Sequence, residues 1–115
     1  MTLEAFRELC LSFPAASEEI KWENDLCFLI GKKMFAVAGL DRQPVSISFK
    51  TSPKLFDQLT ERSGFVPAPY LARYKWVSIQ DISGLNEGEL KTLVSQSYEL
   101  VLAKLPSKVR NQLEL

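Results

Sequence analysis

Between Lys50 and Trp76 the chain interleaves cations with aromatic rings: Lys50, Lys54, Arg62, Arg73 and Lys75 stand among Tyr70, Tyr74 and Trp76. Cations that neutralise phosphates, beside rings that stack or wedge, are what a nucleic-acid surface requires. A plainer reading competes with it, in which Tyr70 and Trp76 belong to the core or cover a sheet edge and the cations only solvate the surface. On these residues alone the plainer reading is preferred.

Elsewhere the chemical repertoire is narrow. The 115 residues include no histidine, which removes Ser-His and Cys-His nucleophile pairs, imidazole proton shuttles and imidazole metal ligands. Gly31-Lys32-Lys33 reads as a hairpin turn rather than a phosphate loop. Cys10 and Cys27 are too few for a structural zinc site. Glu4, Glu8, Glu18, Glu19, Glu23 and Asp25 could offer oxygen ligands to a hard cation, but read more simply as a solvated acidic face. The expectation is a non-enzymatic protein with no catalytic residue, no metal site and no cofactor.

Net charge is zero, which argues against a strongly basic nucleic-acid binder. The distribution is uneven, however. Residues 1–31 hold six acids and two bases (−4), residues 32–75 eight bases and three acids (+5), and residues 76–115 four bases and five acids (−1). A basic middle segment matters only if folding gathers its charges on one surface.

The elements that must do this gathering follow from periodicity. At 46% apolar and 24% charged residues the chain has a globular composition, and its length fits a single domain over residues 1–115. Leu3, Phe6, Leu9, Cys10 and Phe13 recur at helical spacing, which predicts a first helix over 2–12, capped by Thr2 and stopped by Pro14. Residues 25–30 read as a strand, Gly31-Lys32 as a two-residue turn and residues 34–38 as the antiparallel partner. A further strand is expected around 19–22, a turn at 40–44 and an alternating strand at 45–50. Ser52-Pro53 opens a short helix that Gly64 ends, residues 65–70 are extended by their prolines, and residues 76–79 form a last strand.

Asn86 caps the final helix, with Glu89 expected to complete a capping box. Leu90, Leu93, Val94, Ser97, Tyr98, Val101 and Leu105 mark its buried face, and Pro106 closes it. The sum is an α+β domain: an antiparallel sheet of about four to five strands covered by N-terminal and C-terminal helices. No run approaches the roughly 20 apolar residues that span a bilayer, the N-terminus lacks a signal-peptide pattern, and the cysteines read as reduced and buried. A cytoplasmic protein is expected.

Four motifs carry a family resemblance. Phe28-Leu29-Ile30-Gly31-Lys32-Lys33-Met34-Phe35-Ala36 resembles the F-x-V-G-G-K-M-F-A hairpin of the MmcQ/YjbR-like proteins. Val45 to Lys50 followed by Ser52-Pro53 and Leu59 is similar to that family's sisLK-x-dP-x-x-x-x-L segment. Pro67-Ala68-Pro69-Tyr70 through Lys75-Trp76 stands where the family has Pro-Gly-Tyr…Lys-x-x-Trp, and Ser97 to Pro106 resembles its closing S-Y-x-L-V-x-x-K-L-P. The resemblance implies a CyaY-like, double-wing fold with a DNA-binding role, a role that itself rests on structural analogy. The family commonly has histidine where this chain has Lys75, so a role for a titrating imidazole is lost and a phosphate contact is kept. Pro69 replaces the family's glycine and stiffens the loop.

The leading expectation is therefore a small monomeric DNA-binding module. Lys50, Arg73 and Lys75 would contact phosphates, Lys32 and Lys33 would act from a hairpin tip serving as a wing, and Tyr70 and Trp76 would pack beneath or beside that surface. The alternative is a protein or small-molecule interaction domain using a groove between the sheet and the 67–74 loop. An acidic metal-binding role, implied only by the frataxin-like fold, comes third.

Overall fold

The computed structural model describes residues 1–41 and 43–115. Arg42, inside the turn expected at 40–44 and counted among the mid-chain cations, lies outside the described residues. Helix α1 (Leu3–Leu11) leads into four successive strands, β1 (Ser17–Lys21), β2 (Asp25–Ile30), β3 (Lys33–Gly39) and β4 (Ser46–Lys50). Helix α2 (Pro53–Thr60), strands β5 (Phe65–Pro67) and β6 (Trp76–Ile79), and helices α3 (Glu87–Lys104) and α4 (Ser107–Gln112) follow. The strands form one antiparallel sheet in the order β1-β2-β3-β4-β6-β5. That is six strands, where four to five were expected. The difference comes from β5, a three-residue edge strand whose prolines had marked it only as extended.

Helix starts follow local chemistry. Thr2 Oγ1 accepts from the Ala5 N–H (3.1 Å), Ser52 Oγ from Leu55 (3.2 Å) with Pro53 at the first helical position, and Asn86 Oδ1 from Glu89 (3.0 Å). Each satisfies an N–H that the helix leaves unpaired. The expected reciprocal bond from Glu89 is absent among the described residues, because its carboxylate takes both guanidinium nitrogens of Arg62 at 3.0 Å. A bidentate charged partner outcompetes a single backbone N–H.

One face of the sheet carries the core. Phe28, Ile30, Ala36, Ala38, Ile47, Phe49, Val77 and Ile79 pack under Phe6 and Cys10 of α1, Leu59 of α2 and the expected face of α3. Edge-to-face contacts tie the layers together, Phe6 to Phe28 at 5.7 Å and Phe35 to Tyr98 at 5.4 Å. Phe35 reaches this side through a bulge: Phe28 pairs with Ala36 and Leu29 with Met34, so Phe35 has no opposite residue. The extra residue bends the strand and re-aims one side chain.

The β2–β3 turn has positive φ at both Gly31 (56°) and Lys32 (68°), the backbone of a type I′ hairpin. Its tip is not a free wing. A Cβ at Gly31 would lie 2.8 Å from Leu105 Cδ1 and 3.1 Å from Val109 Cγ1, so the tip is seated against the junction of α3 and α4.

Candidate functional site

Residues directly opposite in a ladder share a face, and the registers trace one row across the side turned away from the helices. Glu19 faces Cys27, Cys27 faces Val37, Val37 faces Ser48, Ser48 faces Ser78 and Ser78 faces Val66. One step toward the other end, Lys50 lies opposite Trp76. Cys27, Leu29, Ala68 and Trp76 are buried yet stand apart from the main core. They form a thinner second layer, closed in part by the chain between β5 and β6.

That connecting chain is held tightly. Ala68 N–H donates to the Trp76 carbonyl (3.0 Å), and Thr51, itself buried, donates from both N–H and Oγ1 to the Lys75 carbonyl (2.8 and 2.6 Å). Lys50 Nζ donates to the Tyr74 carbonyl at 2.6 Å, while the Lys50 carbonyl accepts from the buried Ser97 hydroxyl of α3 at 2.6 Å. The end of β4 is thus fixed from both sides.

Here a cavity of 360 Å³ opens, lined by Lys33, Met34, Lys50, Tyr74, Trp76, Val101, Lys104, Leu105 and Pro106. Three ammonium groups share it, and its lining contains no carboxylate. Burial, and then the like charge of Lys104, hold the Lys50 ammonium below the usual lysine range. Such a pocket favours an anion, which would relieve the mutual repulsion. Trp76, only 4% exposed, forms part of its apolar wall. Lys104 sits in the last turn of α3, where its charge complements the negative end of the helix.

The remaining expected residues are dispersed around this cavity. Lys32 is exposed on the hairpin turn. Arg73 lies over the Tyr74 ring (4.9 Å) and donates to its hydroxyl (2.7 Å), which sets it beside the cavity without lining it. Lys75 stands over the Phe56 ring at 5.0 Å, on the α2 side. Tyr70, on left-handed backbone with φ 66°, is 99% exposed rather than packed beneath a basic surface. Of the other mid-chain cations, Arg62 is paired with Glu89, and Lys54 lines a groove between α2 and α3 that also holds Glu99.

The acids of the first segment pair with Arg7 (Glu18, 2.6 Å) and Lys21 (Glu19, 3.7 Å). Among the described residues, no ion pair takes Lys33, Lys50 or Lys104. Reasoning from sequence missed Lys104, 54 positions beyond Lys50. Its only signal was the Lys104-Leu105-Pro106 end of the closing motif.

Other chemistry finds little support. Both thiols are buried and free. Burial pushes Cys10 well above the usual thiol range and Cys27 up to about 11, so neither is a ready thiolate. Among the described residues no group of three acidic or thiol side chains is placed to hold a metal, and no helix is long and apolar enough to cross a membrane.

An open six-stranded antiparallel sheet with helices on one side, and a basic cavity at the sheet's end where the close of α3 meets β3 and β4, define the α+β architecture. The chain belongs to the YjbR family, whose family model, described as YjbR, matches residues 11–100. It is 24% identical over 116 residues to the "Uncharacterized protein YjbR" of Escherichia coli K12, covering 98% of both chains, and matches the protein of the same name from E. coli O157:H7 equally. Among solved structures, Deinococcus radiodurans protein DR2400, of domain family DUF419, superposes with a TM-score of 0.87 at 24% identity, over 99% of this chain and 88% of that one. A Pseudomonas syringae protein gives 0.72 at 19% identity, over 87% of this chain and 98% of that one. These likenesses establish the fold.

Proposed function

We propose that the chain is a monomeric, cytoplasmic, non-enzymatic DNA-binding module that holds backbone phosphate in the cavity of Lys33, Lys50 and Lys104. The observation that carries this reading is the convergence of three lysines on one cavity whose lining holds no acid. Phosphate contacts of this kind position a polyanion without reading its sequence. Arg73, laid along Tyr74 at the cavity's edge, extends the positive surface. Lys32 and Lys75 lie farther out and contribute less.

The cytoplasmic assignment draws on two buried, unbonded thiols, which suit a reducing compartment. The non-enzymatic reading is supported by the missing histidine and the raised thiols.

Titrating labelled duplex DNA across a range of salt tests the reading. Three phosphate contacts give a slope of log affinity against log salt of about −2.7. Replacing Lys33 and Lys104 together with glutamine reduces the magnitude of that slope by about 2. Binding that ignores salt, or that the double variant leaves intact, rejects the reading.

A further inference from the structure

A second cavity lies on the helix-free face of the sheet, the face to which Lys50 and Trp76 of the lysine cavity also belong. It measures 310 Å³ and sits between the sheet and the chain following β5, with Trp22, Val66 and Tyr70 on its rim and Ser46, Ser48 and Ser78 on its floor. We infer that this cavity receives one unpaired base of a single nucleic-acid strand whose phosphate occupies the lysine cavity. The inference rests on the phosphate reading and deepens it, from DNA in general to a strand with a base free to leave the stack.

Four observations converge. Trp22 is 68% exposed and Tyr70 99% exposed; two large rings presented to water beside one cavity are a stacking platform without an occupant. Both rings stand on left-handed backbone, φ 49° at Trp22 and 66° at Tyr70. That conformation is unfavourable for bulky residues and recurs at ligand clamps.

The polar lining suits the edge of a base. Serine hydroxyls both donate and accept, and Asp25 is the cavity's one charged lining residue. A carboxylate disfavours phosphate here and accepts from an exocyclic amino group, as acids do from cytosine N4.

The spacing joins the two sites. Ser48 and Ser78 lie two residues along β4 and β6 from Lys50 and Trp76, which are opposite each other in the ladder. At the rise of an extended strand this is about 7 Å, within reach of a single nucleotide. The cavity's volume is at the low end of the roughly 300–1,000 Å³ range of ligand sites, so it holds one base rather than a duplex edge.

The experiment compares fluorescence anisotropy of labelled oligo-dC, oligo-dT and an abasic strand of equal length, all at one salt concentration. The expected result is oligo-dC binding about tenfold more tightly than the abasic strand. Trp22→Ala and Tyr70→Ala, both at exposed side chains, remove that preference and leave abasic binding unchanged. Asp25→Asn narrows the difference between oligo-dC and oligo-dT.

If oligo-dC and the abasic strand bind alike while Lys33 and Lys104 still matter, the base site is wrong and the phosphate reading stands. If no strand or duplex binds in a salt-dependent way, the phosphate reading itself is rejected, and this inference with it. Free deoxycytidine binding as tightly as oligo-dC overturns the assignment to a strand.

Discussion

The two faces of the sheet are made by the same strands and do different work. On the helix side, every second residue of β4 and β6 is a large hydrophobe without a polar atom, Ile47, Phe49, Val77 and Ile79. On the other side the same strands present Ser46, Ser48, Lys50, Trp76 and Ser78, each carrying a polar atom. Alternation of this kind lets one face hold the fold while the other is free to vary its chemistry. Stability and binding should therefore be separable by mutation, residue by residue.

The strongest way to break that separation is Phe28→Ala. Phe28 is fully buried against Phe6, and truncation of such a ring costs about 3–5 kcal/mol. Chemical denaturation should show the loss, with salt-dependent DNA affinity kept in whatever fraction remains folded.

Gly31→Ala comes next, at about 2 kcal/mol, since it adds backbone strain at positive φ to a close approach to Leu105. It differs from Phe28→Ala in also moving the hairpin tip that carries Lys33, so duplex affinity falls together with the midpoint of unfolding. If affinity were unchanged, the tip would not be part of the binding surface.

Asn86→Ala removes the cap of α3 and costs about 1 kcal/mol. Thermal melting should register that loss without a change in the salt slope of DNA binding.

The smallest effect sharpens the comparison on the open face itself. Burial, and then the neighbouring Asp41, raise the Asp25 carboxyl above its ordinary value. Ionising it therefore disfavours the fold, and the disfavour develops as pH rises from the unfolded value of about 3.9 through the higher folded one. Asp25→Asn should flatten that decline, with denaturation midpoints matching wild type near pH 3 and exceeding it at pH 7. A variant less stable than wild type at pH 7 would contradict this account.

Much of the helix side was legible in the sequence because local periodicity dictates it. The seven residues from Leu90 to Leu105 expected to face inward are all buried, and the strands at 25–30, 46–50 and 76–79 lie where alternation and turn residues set them. The open side was legible only in fragments. That Lys50 faces Trp76 depends on β6 entering the sheet between β4 and β5, a long-range choice that no short window encodes.

Lys104 joins Lys50 because Ser97 fixes α3 against the end of β4, a contact across 47 positions. Glu89 turned from capping box to Arg62 partner for the same reason: a residue 27 positions away offered a better hydrogen-bonding geometry. The groove expected beside the 67–74 loop does have a counterpart in the cavity rimmed by Trp22 and Tyr70. The contribution of Trp22, from the turn between β1 and β2, was not foreseeable.

The seating of Gly31 against Leu105 and Val109 also bears on the order of events during synthesis. Those partners leave the ribosome more than seventy residues after the hairpin they steady. Lys33 and Lys104 are likewise 71 positions apart in the chain. A nascent chain can build its central strands early, but it closes the lysine cavity only after Val101 to Pro106 have emerged, so a product cut before them would lack that cavity.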